Sequence, residues 1–184
     1  KYYNNNGFKT DFNIYGKLNY YLTSEFNAFA DLQYRTVGYE FLGLRIDDQT
    51  GDVEDVTQTD RIDFLNPKFG VVYRPAGGHR LFASLSVGGK EPTRNEYVES
   101  SKESRPDPER LFDYELGYDG TFERFHAGLN LYFMDYKDQL ILTGAVNDVG
   151  GYIRENVPDS YRAGIELQFG TRILTDLEWS GNAT

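Results

Sequence analysis

The 184 residues carry 29 Asp and Glu against 19 Lys and Arg, a formal net charge of −10. Nucleic acid is thereby excluded as a partner, because phosphate backbones demand clustered cations. With no cysteine, disulfides and thiolate metal centres are excluded, and two histidines are too few for a His-based zinc centre without carboxylate help.

Fifteen Tyr and thirteen Phe, with 19 Gly and six Pro, suit pleated surfaces and close backbone approach. No stretch approaches 18 apolar residues, so a transmembrane helix is excluded; spanning strands alternate and escape that test. The chain opens on Lys1 with no signal-peptide pattern. It ends, from Leu177 to Thr184, partway through what reads as another strand. Both ends are expected to be cut.

Phe8 to Leu22 alternates cleanly. Phe8, Thr10, Phe12, Ile14, Gly16, Leu18, Tyr20 and Leu22 share one face, and Lys9, Asp11, Asn13, Tyr15, Lys17, Asn19 and Tyr21 the other. Period two over that length predicts a strand longer than globular ones, matched to the roughly nine to eleven residues of a tilted spanning strand. After a Thr23–Glu25 turn, Phe26, Ala28, Ala30, Leu32 and Tyr34 repeat the pattern. A third strand presents Phe69, Val71 and Tyr73. Beyond a Pro75–Gly78 turn, a fourth presents Leu81, Ala83, Leu85 and Val87. Tyr114, Leu116 and Tyr118 mark a fifth. After a turn near Glu123, a sixth carries Phe125, Ala127, Leu129, Leu131 and Phe133. Ala163, Ile165, Leu167 and Phe169 mark a seventh, and an eighth begins near Leu177.

Two regularities set the environment. In the central stretch of all seven strands the apolar face carries no charge, as a lipid-facing surface requires, since a Lys or Arg at mid-membrane costs about 2–4 kcal/mol. The opposite face is polar and Gly-rich. Connections also alternate: short turns near Thr23, Pro75, Glu123 and Thr175, and long polar segments at 43–61, 89–110 and 142–156. Short turns on one rim and long loops on the other is the pattern of outer-membrane barrels. Alternation alone does not say which face is inside. The lipid-facing reading requires Phe12, Leu131 and Ile165 to point outward and not into a dry core.

Five stretches, in order, carry a family resemblance. They are Asn66-Pro67 through Arg74-Pro75, Leu81 through Gly88 with Lys90-Glu91-Pro92-Thr93, and Asp107-Pro108-Glu109-Arg110 followed by Tyr114-Glu115-Leu116-Gly117. The fourth is Leu129 through Tyr136 with Lys137-Asp138-Gln139-Leu140-Ile141, and the fifth Glu155-Asn156-Val157 followed by Tyr161-Arg162-Ala163-Gly164-Ile165-Glu166-Leu167. Together they resemble the barrel strands of TonB-dependent outer-membrane receptors; residues 1–65 agree in strand pattern only. The resemblance implies an all-β, up-and-down antiparallel transmembrane barrel of about 22 strands, of which residues 1–184 supply about eight. It also implies a plug domain in the same parent chain, contact with TonB, and a small-molecule nutrient such as a siderophore, cobalamin or haem taken up at the outer loops. The implied setting is outer-membrane lipid of a Gram-negative bacterium. This stretch holds no plug, no TonB-contacting segment and no final aromatic-ended strand.

The motif residues have plain readings beside functional ones. Asp31, Arg35, Glu115, Arg162 and Glu166 fall on the polar, lumen-facing side. Glu115 and Glu166 are expected to pair with groups such as Arg35 or Arg162; meeting plug arginines or lining the substrate path is the alternative. Gly117 and Gly164 fit close packing. Pro92 and Pro108 mark exit from and entry to the ladder, since proline lacks a donor. Tyr20, Tyr21, Tyr34, Tyr73, Tyr118 and Tyr136 are expected at strand ends as an interface girdle.

Asp47, Asp48, Asp52 and Asp55 form an acidic run that lacks the EF-hand spacing, so a solvated loop is preferred to a calcium site. No nucleophile–base set is assembled by the sequence, and neither an enzyme nor a cofactor is expected. The competing readings are a complete eight-stranded structural or adhesion barrel and a soluble lipocalin-like binder.

Overall fold

In a computed structural model of the chain, residues 3–46, 51–55, 57–98, 105–146 and 152–184 are described. They form one antiparallel sheet: β1 (Tyr3–Tyr21), β2 (Phe26–Ile46), β3 (Val53–Asp55), β4 (Gln58–Tyr73), β5 (His79–Lys90), β6 (Glu109–Thr121), β7 (Phe125–Val146), β8 (Tyr152–Leu174) and β9 (Leu177–Ala183). A five-residue helix, α1 (Arg94–Val98), follows β5. The order is β1-β2-β4-β5-β6-β7-β8-β9, a meander in chain order, with the short β3 paired to β2. Among the described residues β1 and β9 form the two ends of the sheet, so the closed eight-stranded barrel is not formed.

Register explains why the alternation persists through every strand. One row runs Leu18, Ala30, Phe69, Leu85, Tyr114, Phe133 and Ala163, each directly opposite the next. The next row is Tyr20, Ala28, Val71, Ala83, Leu116, Leu131 and Ile165. A slip of one residue anywhere would break both rows by turning a strand over. The result is one continuous apolar face. Phe12, Leu131 and Ile165 are 59 %, 38 % and 55 % exposed, so they meet no dry interior.

The polar face is built by rings laid over glycines. Its central row is Asn19, Phe29, Gly70, Ser84, Glu115, Tyr132 and Gly164. A Cβ at Gly70 would strike the Phe29 ring, one at Gly117 the Phe82 ring and one at Gly164 the Tyr132 ring. Glycine is needed there because an aromatic side chain from the neighbouring strand occupies the space.

The short turns behave as read. The Thr23 hydroxyl accepts from the Glu25 and Phe26 amides (3.2 and 3.0 Å). Gly77 and Gly78 take φ of 90° and 80°, which glycine adopts without steric cost. Along this rim Phe122, Phe125, Phe169 and Trp179 form a chain of ring contacts at 4.3, 5.7 and 5.7 Å.

The long segments are corrected. Much of 43–61 and 142–156 is strand, since β2 runs to Ile46, β4 starts at Gln58, β7 runs to Val146 and β8 starts at Tyr152. Strands of 22 and 23 residues are at least twice as long as the roughly nine to eleven needed to span a bilayer. Their far halves lose alternation because no lipid imposes it there, while the backbone ladder continues. Tyr34 and Tyr136 therefore sit mid-strand and not at ends. Tyr136 is buried on the polar face with Arg162 over its ring at 5.3 Å.

Among the described residues it is around 89–110 that a long connection departs from the sheet, and Pro67 shows where the wall parts. The β4–β5 ladder stops at Lys68↔Ser86, beside a residue with no N–H to extend it. Beyond that point β5 stays with β6 as far as Lys90↔Glu109.

Candidate functional site

Above Pro67, at the long-loop rim, the segment after Lys90 turns onto the polar face of β2 and β4. Thr93 and Glu96 make this local turn helical: the Thr93 amide donates to the Glu96 carboxylate, one half of a capping box, and the Tyr97 amide donates to the Thr93 carbonyl at 3.3 Å. The Thr-x-x-Glu spacing at 93–96 is the sequence signal for this helix, set within a long polar connection.

Three anchors hold this strap. At its start, Glu91 accepts from Lys9 Nζ (2.7 Å) and from Arg35 Nη1 and Nη2 (2.8 and 3.0 Å). Arg35 also donates to both carboxylate oxygens of Asp11 (3.0 and 2.5 Å). Burial pushes the Glu91 carboxyl up, but the hydrogen bonds from Arg35 and Lys9 outweigh it and hold it below the ordinary 4.5.

In its middle, Tyr97 is fully buried with Val37, Tyr39, Phe41 and Phe64; its ring lies 5.1 Å from Tyr39 and 5.3 Å from Phe41. Its hydroxyl donates to Asp60 Oδ2 (2.6 Å) and its carbonyl accepts from Gln58 Nε2 (2.9 Å). Burial and then the Asp60 bond push its phenol well up. Arg105 donates to Gln58 Oε1 (2.6 Å), pairs with Asp60 (3.2 Å) and lies over the Tyr97 ring. Val37, Tyr39 and Phe41 lie where β2 continues beyond its apolar-alternating stretch, so no local period in the sequence marks the aromatic box.

At its return, three of the motif stretches meet. The Asn156 side chain accepts from the Asp107 amide (2.9 Å) and donates to the carbonyls of Asp107 (3.0 Å) and Asp138 (2.6 Å). Asp138 has φ of 53°, the single positive non-glycine value among the described residues. Glu109 accepts from the Leu140 amide (3.1 Å) and lies 3.8 Å from Lys90. Pro92 is buried one residue past Glu91, and Pro108 directly precedes β6. The Pro-Glu, Lys-Asp and Asn-Val stretches thus form one staple between the strap and the β7–β8 hairpin. α1 also reaches β8, through Glu96 and Arg154 at 3.3 Å.

The other polar-face residues are placed apart from the strap. Glu115 accepts from Ser84 (3.2 Å), not from Arg35 or Arg162. Glu166 lies opposite Asn130, and Asp31 lies 3.6 Å from Lys17. Asp31, Asp113 and Asn130 each hold a buried side-chain oxygen without a hydrogen-bond partner. Asp47 and Asp48 lie outside the described residues. Asp52 and Asp55 are exposed, and the Asp55 carboxylate accepts from the Thr57 amide (2.9 Å). Among the described residues no His, Asp and Glu group could hold a metal ion.

Comparison with known proteins follows this geometry. Copper transporter OprC superposes with a TM-score of 0.79 at 13 % identity, over 96 % of this chain and 30 % of its own. The ferric yersiniabactin uptake receptor FyuA from Yersinia pestis gives 0.69 at 16 % identity, over 98 % and 27 %. The FrpB iron transporter from Neisseria meningitidis gives 0.65 at 19 % identity, over 89 % and 24 %. The chain thus spans about a quarter to a third of these transporters. No curated protein matches the sequence. The family profile described as TonB dependent receptor-like, beta-barrel, matches residues 1–184; the chain belongs to the TonB-dependent receptor β-barrel family, and its sheet is a stretch of that transmembrane barrel wall.

Proposed function

We propose that this wall belongs to an outer-membrane receptor of a Gram-negative bacterium that imports a scarce nutrient, a siderophore, cobalamin, haem or similar chelate, with energy relayed by TonB. The observation that carries the reading is the family match over the whole chain, joined to a sheet with one lipid-compatible face and one polar face. The transport role agrees with the absence of any assembled nucleophile–base set in the sequence.

In this reading the polar face meets a plug domain of the same parent chain. Three buried oxygens support it, Asp31 Oδ1, Asp113 Oδ1 and Asn130 Oδ1, which lack partners within the sheet; buried polar atoms are rarely left so in a complete structure. The long-loop rim, including the strap, is the outer surface where nutrient is captured, because loops held by rigid strands carry selectivity.

Whole-cell uptake by the intact receptor tests this, using radiolabelled iron chelates, copper, haem and cobalamin in cells with and without TonB. At least one cargo is expected to accumulate only when TonB is present. Equal accumulation of every cargo in both strains overturns the reading.

A further inference from the structure

The apolar face carries a second pattern at its long-loop edge. On β4 its side chains run from Tyr73 to Leu65, followed on the same face by Asp63 and then Arg61. On β7 they run from Phe125 to Phe133, followed by Asp135 and then Lys137. These two strands run in opposite directions, yet both meet the long-loop rim in the order apolar, acid, base. β6 ends there as well, with Phe112 and then Arg110, and Arg110 stands directly opposite Lys137. Apolar runs of this length match the roughly nine to eleven residues of a spanning strand, so the charged groups beyond them stand at the level of lipid headgroups.

Each carboxylate sits one step nearer the apolar band than its cation. Arg61 lies 3.6 Å from Asp63 and Lys137 lies 3.5 Å from Asp135, and Lys137 also pairs with Asp159. Tyr34 donates to Asp63 (2.9 Å), and Arg61 Nε donates to Thr36 (3.1 Å). These bonds fix the stems and leave the heads open: the Arg61 and Lys137 side chains are 68 % and 44 % exposed. Arg110 is exposed too, and no carboxylate among the described residues pairs with it. Like charges directly opposite in a ladder repel, and an anion shared between Arg110 and Lys137 removes that cost.

The short-turn rim is built differently. There the strand-end cations turn to the polar face: Arg74 donates to Asn27 (3.2 Å), Arg80 pairs with Asp119 (3.2 Å) and Arg172 donates to Glu178 (2.7 Å). The apolar face presents His79 and Phe122 instead, in ring contact at 5.3 Å. One face thus offers cations to one leaflet and rings to the other.

We propose that Arg61, Arg110 and Lys137 hold the phosphates of a glycolipid in the leaflet on the long-loop side, with its acyl chains on the apolar rows. This rests on the wall lying in an outer membrane with that rim outward, and it adds a lipid class to that reading. Arg110 and Lys137 are neighbours and share one phosphate, the guanidinium supplying paired donors. Arg61 is on β4, two strands from β6 and so no nearer than about 10 Å. A headgroup with one phosphate does not reach both places, and a headgroup with two separated phosphates does.

The test titrates the intact receptor in detergent micelles with bis-phosphorylated lipid A, read as bound lipid by native mass spectrometry. Phosphate-free lipid A and phosphatidylglycerol are the comparison lipids. Bis-phosphorylated lipid A is expected to bind most tightly. Arg61→Gln, Arg110→Gln and Lys137→Gln are each expected to weaken it about fivefold, and the triple variant roughly a hundredfold, the scale of one to three interfacial cations. The single variants decide the matter if the triple variant does not fold. Arg124→Gln, at the short-turn rim, is expected to keep native affinity. Equal binding of phosphate-free lipid A or phosphatidylglycerol overturns the proposal. So does native affinity in all three single variants, or a loss in Arg124→Gln equal to that in Arg110→Gln. Lipid binding needs neither cargo nor TonB, so its failure leaves the uptake result standing, and failed uptake leaves a measured lipid affinity intact.

Discussion

Glu91 illustrates how a single side chain can carry a segment. Its carboxyl lies below the ordinary 4.5 because two cations favour the charged form more than burial disfavours it. A depressed carboxyl pKa contributes stability that is present above the unfolded value and lost as pH falls through the folded one. The start of the strap should therefore stay anchored above the usual carboxylate range and loosen in acid below 4.5. Amide exchange across 91–98, followed against pH, checks this; protection that persists unchanged well below 4.5 contradicts it. Gly117 makes the opposite kind of contribution, by having no side chain. Gly117→Ala puts a methyl into the Phe82 ring and is expected to destabilise by about 1–3 kcal/mol, the usual cost of overpacking. Chemical unfolding of the membrane-embedded protein measures it, with Gly16→Ala, which meets nothing within 4 Å, as the control.

Among the elements, β7 carries both halves of the design. Its first half supplies Leu129, Leu131 and Phe133 to the apolar rows. Leu131→Arg is expected to cost about 2–4 kcal/mol in a bilayer, since the guanidinium would face hydrocarbon. The same change at Asn130, on the polar face, should cost far less, and equal losses would show the faces to be misassigned. Its second half carries Asp138, whose positive φ is held by Asn156 on its carbonyl and which lies near Glu109 on the Leu140 amide. Asn156→Ala removes three hydrogen bonds at a half-buried site and is expected to lower local stability there by about 1–3 kcal/mol. Faster exchange at the Asp107 amide, with the Leu116 amide unaffected, is the expected signature; equal acceleration at both would show global unfolding.

At the scale of the whole molecule, the sheet has two end strands and a broad apolar face. End strands present unpaired backbone groups, and an apolar face of this extent is not tolerated in water. The 184 residues alone, in buffer without detergent, are expected to sediment as oligomers and aggregates, and to disperse when detergent covers the apolar rows. A stable monomer in plain buffer would contradict the lipid-facing assignment.

The sequence by itself determined the strand pattern, the register-consistent apolar rows, the short-turn rim and the family, because lipid acts on each strand separately and leaves a period-two record in it. It also singled out Pro108, Glu109, Asp138 and Asn156, without a reason for them. Their reason is tertiary: residues up to 49 apart in the chain meet at one staple, and no local period encodes such a meeting. The extension of β7 and β8 beyond the bilayer was hidden for a related cause, since strands outside lipid need no apolar alternation, and that of β2 and β4 because Val37, Tyr39, Phe41 and Phe64 turn apolar side chains to the opposite face. The strap was hidden most deeply. Glu91, Tyr97 and Arg105 look like loop residues until the fold brings Lys9, Arg35, Asp60 and the β2 aromatics beneath them, and only those partners turn a polar connection into an anchored one.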